Sequence, residues 1–178
     1  MIFPKKYTEH SIRTFTNKVF DLEILDPDSI CIEDIARGLS NTARFAGQLD
    51  GFLSVAQHSC LVASEVRLAY KLTALLHDAA EAYIGDMPSS FKKLMPDFKN
   101  YENKIMQAIA DKYGIEYPLP MEVKSMDKKM LSIEWKECVI KKNSSFYWNP
   151  KQAEQQFLVR FEEYLNLQKQ FLIKKMAV

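Results

Sequence analysis

Between Tyr70 and Tyr83 the chain is rich in Ala and Leu, yet it carries His77, Asp78 and Glu81. An apolar helix of this kind is a buried one, and an ionisable group buried without a partner costs several kcal/mol. The rest of the chain must therefore cover this segment and bring partners or a metal ion to its charged residues. The segment is well short of the ~18 apolar residues that span a bilayer, and no other run approaches that length. No membrane association is expected.

Elsewhere apolar residues recur at helical spacing. Ile32, Ile35, Ala36 and Leu39 mark a helix over 32–40, after the turn and cap cluster Asp26-Pro27-Asp28-Ser29. A loop through Gly47 and Gly51 leads to a second helix opening near Ser54, with Leu61, Val62 and Val66 in its body. Gly85, Pro88 and Ser89-Ser90 end the central helix and restart a short one, and Pro96-Asp97 breaks the chain again. Ile105, Ala108 and Ile109 mark a helix over 101–113 closed by Gly114. Val123, Met126, Met130, Leu131, Trp135 and Cys138 mark a longer one, ended by Asn143-Ser144-Ser145, and Asn149-Pro150 starts the last. Short alternating runs in residues 12–26, around Thr16-Asn17-Lys18, read as a hairpin. The expectation is an all-α bundle of about six helices with a small N-terminal β-hairpin. The 178 residues suit one domain, with 1–30 as accessory hairpin and linker and 31–178 as helical core.

Lys plus Arg number 24 against 23 Asp plus Glu, a net charge of +1, so no strong field exists to attract a nucleic-acid polymer. Cys31, Cys60 and Cys138 are odd in number and form no CxxC, which disfavours a disulfide framework and a zinc-thiolate site. Residues 1–7 lack the apolar core of a signal peptide. A cytoplasmic location is expected.

The three histidines are His10, His58 and His77. His10 lies in a polar segment, and nothing supports a ligand role for it. Glu81 follows His77 by four residues and Asp78 by three, so on an ideal helix the three share roughly one face. His58 sits early in the preceding helix and Asp127 on the apolar surface of a later one. Two imidazoles and two carboxylates suit Mn, Fe, Co, Ni or Zn, with positions left for water and a phosphate oxygen. Singly, each residue reads as readily as a core histidine or a helix cap.

The order His58, His77-Asp78, Asp127 resembles the H…HD…D signature of the HD-domain metal-dependent phosphohydrolases. The stretch from His77 through Glu81 to Gly85-Asp86-Met87-Pro88 resembles the HDxxE…GDxP run of HD-type 5′-deoxynucleotidases. Asn41-Thr42-Ala43-Arg44-Phe45-Ala46-Gly47, the aromatic Phe52 and Ser54-Val55-Ala56-Gln57-His58-Ser59 are similar to small phage and prophage HD hydrolases, among them phage dATP triphosphohydrolases. The likeness spans roughly residues 30–135. It implies an HD helical bundle and one catalytic divalent transition metal (Co, Mn, Ni, Zn or Fe) held by His58, His77, Asp78 and Asp127, with additional Mg or Mn where the substrate is a triphosphate. It further implies Glu81 as the proton-handling group, Asp86 near the leaving-group oxygen or sugar, and Arg44 on a phosphate. Phe45 stands where the deoxynucleotidase branch has Trp beside sugar or base, and Lys92 and Lys124 are second-rank phosphate cations. The implied partner is a small-molecule nucleotide, with a homo-oligomer as assembly.

Two reactions fit this resemblance: release of triphosphate from a dNTP such as dATP, or of phosphate from a dNMP. Hydrolysis of a cyclic nucleotide or (p)ppGpp is the alternative within the superfamily. A catalytically silent nucleotide-binding module is the alternative outside enzymology, against which the intact ligand set and Glu81 argue. Ordinary roles stay open beside the functional ones. Asp86 reads equally as a cap for Ser89-Ser90, Lys92-Lys93 as a solvated pair, and Phe45 as core. Glu134, seven after Asp127, reads as a cation partner or, more simply, an ordinary helix charge. Met126, Met130 and Trp135 read as core, as do Phe157, Phe161 and Tyr164.

Overall fold

Ser11–Arg13 (β1) and Val19–Asp21 (β2) pair antiparallel, with Ser11 opposite Asp21 and Arg13 opposite Val19. Asn17 takes the left-handed conformation (φ 65°) in their turn, which an Asn tolerates better than most residues. The computed structural model describes residues 7–176, so the first six residues of the expected 1–30 segment and the last two of the chain lie outside the described residues. The hairpin is more than an accessory. Phe20 on β2 is fully buried and stacks on Tyr83, ring centroids 3.9 Å apart. The buried Asp34 carboxylate ties the hairpin to the first helix by accepting from the Thr16 backbone N–H (2.7 Å), the Thr16 hydroxyl (2.8 Å) and the Cys31 thiol (2.9 Å).

Eight α-helices follow among the described residues: α1 Ile32–Asn41, α2 Val55–Glu65, α3 Lys71–Leu75, α4 Glu81–Ile84, α5 Ser89–Lys92, α6 Pro96–Tyr113, α7 Met121–Glu134 and α8 Pro150–Met176. The architecture is all-α with one small hairpin. α2 is the central element, packed against α1, α3, α7 and α8 and buried on nearly every side from Val55 to Cys60. Its start is set by Ser54, whose hydroxyl accepts the Gln57 N–H at 3.1 Å. The Gln57 carboxamide in turn bonds the Phe146 carbonyl and the Trp148 N–H, fastening the connection before α8 onto α2. No helix among the described residues is long and apolar enough to cross a membrane.

Two boundaries differ from expectation. Pro96 opens α6 rather than breaking the chain, since a proline at the first helical position forfeits no intrahelical hydrogen bond. The 70–83 segment is not one helix. α3 stops at Leu75, and the chain advances through 76–80 in tighter turns, with Ala79 N–H on Leu76 O, Glu81 N–H on Asp78 O and Tyr83 N–H on Ala80 O, before α4. The departure from the α-helix falls on His77 and Asp78.

α1 approaches α4 closely at Gly38. A Cβ there would lie 2.6 Å from the Ala82 carbonyl oxygen and 2.8 Å from the Ala82 Cα, so α4, which carries Glu81, would have to move. Gly38→Ala is expected to lower the unfolding free energy by ~1–3 kcal/mol in denaturant titration; an unchanged midpoint would contradict this packing. A second expectation concerns acid. Hydrogen bonds from Thr8, the backbone and Ser11 hold Asp21 at a pKa of about 2, and although burial opposes ionisation of Asp34, donors from Cys31 and Thr16 hold it below the usual range. Depressed carboxylate pKa values stabilise the fold above the unfolded value of ~3.9, and the contribution is lost as pH falls below it. Asp34→Asn should shrink the loss of stability between pH 5 and pH 2 seen by circular dichroism, and an identical acid profile would contradict the assignment.

Candidate metal centre

His58 on the buried α2 and His77 at the end of the α3 turn meet in the middle of the bundle. The His77 Nδ1 lies 2.7 Å from the Ala74 carbonyl, which can only accept, so that nitrogen carries a hydrogen. The His58 Nδ1 donates to Glu134 Oε1 at 2.7 Å. With both Nδ1 positions committed as donors, each neutral ring turns an Nε2 lone pair inward, and the two Nε2 atoms are 3.3 Å apart. Asp127 Oδ1 lies 3.2 Å from the His58 Nε2 and 3.9 Å from the His77 Nε2. Asp78 Oδ2 lies 3.2 Å from the His77 Nε2 and 3.8 Å from the His58 Nε2.

The two Nε2 atoms and Asp127 Oδ1 thus converge, with Asp78 Oδ2 beside the imidazoles, an arrangement that repels itself unless a proton or a cation sits among them. Donors bound ~2.1 Å from a common ion at angles of 90–110° are ~3.0–3.4 Å apart, the scale of the distances found. His58, His77 and Asp127 offer ligand atoms that all lie within 4.8 Å of one another. The residues therefore fit a metal ion. Burial disfavours a charged His77, but Asp78 and Asp127 outweigh it and push its pKa up to about 9, so the site's demand for positive charge is strong enough to recruit a proton.

Glu134 is the residue that sequence reasoning undervalued. Far from being an ordinary helix charge, it is fully buried, with Oε1 on His58 and Oε2 accepting from the Arg44 Nε (3.1 Å) and Nη2 (2.9 Å). Its place seven residues after Asp127 puts both on one face of α7, which was the available signal. Arg44 reaches this carboxylate because its strand-like segment is bonded to the entry of α2, with Arg44 N–H on Leu53 O at 2.8 Å and Val55 N–H on Thr42 O at 3.0 Å. Its Nη1 lies 4.0 Å from Asp78 Oδ2, so the arginine touches both the metal cluster and the carboxylate behind it.

A cavity of about 640 Å³ opens on this cluster. Its polar lining is Arg44, Asp78, Glu81, Asp86, Lys92 and Asp127, and its apolar lining includes Phe45, Leu49, Met87, Leu131, Trp135 and Val139, with the Arg44 guanidinium carbon 5.8 Å from the Phe45 ring centroid. Glu81 is buried, and burial, with the Asp78 and Asp86 charges, pushes its pKa up to about 9 against the pull of Lys92. Its Oε1 is 3.1 Å from the Lys92 ammonium, while Oε2 is buried with no hydrogen-bond partner among the described residues. Burial likewise raises the Asp86 pKa. Asp86 is not a cap for Ser89-Ser90, because Pro88 occupies the cap position of α5 and no side chain caps it.

Three further expectations are corrected. Lys92 is not a solvated surface charge: its ammonium sits between Glu81 and Glu102, 2.5 Å from the latter. Phe45 and Trp135 are not core. Phe45 is half-buried and Trp135 is 51% exposed, and both face the cavity. Lys124 does not line this cavity; it lines a neighbouring one of about 290 Å³, with Lys99 and Glu102, that shares Asp78, Glu81, Lys92 and Asp127 with the first.

Removing the Glu134 carboxylate should loosen both of its partners. Glu134→Ala is expected to weaken zinc binding ~10–100-fold by calorimetry, the usual range for a carboxylate behind a ligating histidine. Glu134→Gln, which keeps an acceptor, should lose less, and unchanged affinity in both variants would remove Glu134 from the centre.

No family model matches the chain. It is 45% identical over 123 residues to the uncharacterized protein YfdR of Escherichia coli (strain K12), an alignment spanning 69% of each chain. It is 36% identical over 115 residues to an uncharacterized protein of Rhodobacter capsulatus, covering 58% of this chain and 59% of that relative. At that identity, over more than two thirds of both lengths, the chain belongs to the family of YfdR.

Proposed function

We propose that the chain is a metal-dependent phosphohydrolase of the HD type that removes phosphate from a nucleoside 5′-monophosphate of the deoxynucleotide class. The observation that carries this reading is the convergence of two imidazole nitrogens and the Asp127 carboxylate, with Asp78 beside them and Arg44 at hand, in a cavity that also carries apolar and aromatic side chains. Such a cavity matches a molecule with an anionic end and an uncharged ring system.

His58, His77, Asp78 and Asp127 would hold a divalent ion. When bound there, the ion supplies Lewis acidity toward a phosphoryl oxygen and lowers the pKa of a water. Arg44, kept in place by Glu134, binds and orients the phosphate with the remaining edge of its guanidinium. Glu81, buried in the cavity and held through Oε1 by Lys92, is the group placed to deliver a proton to the departing sugar oxygen. Lys92 fixes the Glu81 carboxyl through Oε1 and leaves Oε2 for that transfer. Asp86, in the same cavity, accepts from the sugar hydroxyl.

Charge favours the monophosphate. The cations among the described residues lining the cavity are Arg44 and Lys92, both already paired, and they face Asp78, Glu81, Asp86 and Asp127. A triphosphate, with a charge of about −4, would meet that acidic wall without further compensation. The triphosphate reading draws on the neighbouring cavity, where Lys99 and Lys124 would have to receive the distal phosphates.

Protein loaded with Mn, Co, Ni or Zn and supplied with dNMPs, dNTPs and ribonucleotides should release inorganic phosphate and a nucleoside from the monophosphates, identified by chromatography. Triphosphate released from dATP would reverse the substrate assignment, and no turnover on any nucleotide would refute the enzyme. Glu81→Gln should lower kcat ~10²–10⁴-fold while the metal remains bound; full activity in that variant would remove Glu81 from proton transfer.

A further inference from the structure

Where α7 ends, the backbone changes from α-helix to π-helix over Trp135–Ile140, and the Lys141 N–H bonds the Lys136 carbonyl five residues back. Short π-helical insertions are uncommon and concentrate at functional sites, where they re-aim side chains. The side chain at the break is Trp135. Its predecessor Glu134 is fully buried under the metal cluster, whereas the large apolar indole of Trp135 is 51% exposed at the cavity, with Leu131 (45% exposed) one turn earlier. Exposed apolar surface of this size beside a polar cluster calls for an apolar occupant.

Beside Trp135 a second irregularity presents Phe45. Phe45, Ala46 and Gly47 all take positive φ (53°, 51° and 70°), a conformation costly for the first two. The Phe45 ring centroid lies 6.3 Å from that of Trp135, with the planes tilted by 43°. A ring sandwiched between two others needs ~7 Å, two contact distances of ~3.5 Å, so the pair does not sandwich a ligand. It forms one aromatic wall, open to the cavity.

We infer that Trp135 is a specificity-determining residue that stacks on the nucleobase, with Phe45 completing the wall, so that the site selects phosphate esters bearing an aromatic base over simple sugar phosphates. This rests on the nucleotide reading above. The wall lines the same cavity as Arg44, whose guanidinium carbon lies 5.8 Å from the Phe45 ring centroid, so a phosphate held by Arg44 leaves the rest of one nucleotide beside the wall. Trp135 contacts the base and takes no part in bond breaking. Base stacking on an aromatic side chain is strong and tolerant of base identity, so the selection is for the presence of a base rather than for one base.

The chain has two tryptophans, and Trp148, beside Arg160 and outside the cavity, can be replaced by Phe to leave Trp135 as the sole indole. Zinc-loaded Trp148→Phe protein is titrated with dAMP, deoxyribose 5-phosphate and inorganic phosphate while indole fluorescence is followed, and binding is measured in parallel by calorimetry. The expected result is strong quenching by dAMP alone and ~10-fold weaker dAMP binding in Trp135→Ala, with Trp135→Phe close to the parent and the affinity for deoxyribose 5-phosphate unchanged. Equal affinity for dAMP and deoxyribose 5-phosphate, with no effect of Trp135→Ala, overturns the role of Trp135 and leaves the phosphohydrolase reading standing. Absence of binding by all three ligands overturns both.

Discussion

One buried carboxylate holds the centre together. Glu134 accepts the His58 Nδ1–H with one oxygen and the Arg44 fork with the other, at distances of 2.7 to 3.1 Å. A charge with no solvent exposure is tolerable only when both of its oxygens are satisfied, and here the satisfaction comes from the site itself. The consequence runs in both directions. His58 is forced into the tautomer that turns its Nε2 toward His77, and Arg44 is pinned against the cluster rather than free to swing. Three segments far apart in sequence, α2, the Arg44 strand-like stretch and the end of α7, are joined through this single group.

A second constraint explains the irregular backbone at His77-Asp78. Adjacent residues on a regular α-helix point ~100° apart, which would send one of these side chains away from the cluster. In the tighter turns that replace the helix over 76–80, the His77 Nε2 and Asp78 Oδ2 lie 3.2 Å apart, and the His77 Nδ1 still reaches the Ala74 carbonyl. The flanking residues remain fully apolar and buried, Leu75 and Leu76 before the pair and Ala79 and Ala80 after it. The break in the helix is therefore anchored on both sides by core packing, and its hydrogen bonds are reassigned rather than lost.

Much of this was legible in the sequence, for reasons that differ by residue. The helices at α1, α2, α6 and α8 follow from apolar spacing and local caps such as Ser54 and Gly114, which are short-range effects. His58, His77, Asp78 and Asp127 stood out because polar groups on apolar helices demand a partner; the fold groups His58, His77 and Asp127, with Asp78 beside the two imidazoles. Glu134 was read more readily as an ordinary helix charge than as the cation partner it is, because its burial depends on where α7 lands relative to Arg44, a long-range fact that helix periodicity only hints at. Trp135 was misjudged for the opposite reason: an aromatic at helical spacing reads as core, but the π-helical turn starting at that residue carries it out to the cavity. Lys92 and Lys124 show the same limit, since one lysine is drawn between two glutamates and the other lines the neighbouring cavity.

The near-neutral charge of the chain acquires a local meaning from these positions. Each cation at the cavity is matched to a carboxylate, Arg44 to Glu134 and Lys92 to Glu81 and Glu102, so the positive charge there is spent on orientation before any ligand arrives. What remains uncompensated is negative: Asp78 and Asp127 beside two inward-facing imidazoles. On the proposed phosphohydrolase reading, that balance favours a divalent cation before an anion, so the ion would precede the phosphate. The apolar wall of Phe45, Leu131 and Trp135 then acts on whatever uncharged ring the anion carries. On the same reading, recognition is electrostatic at the phosphate and dispersive at the ring, so salt should weaken the hold on the phosphate far more than the hold on the ring.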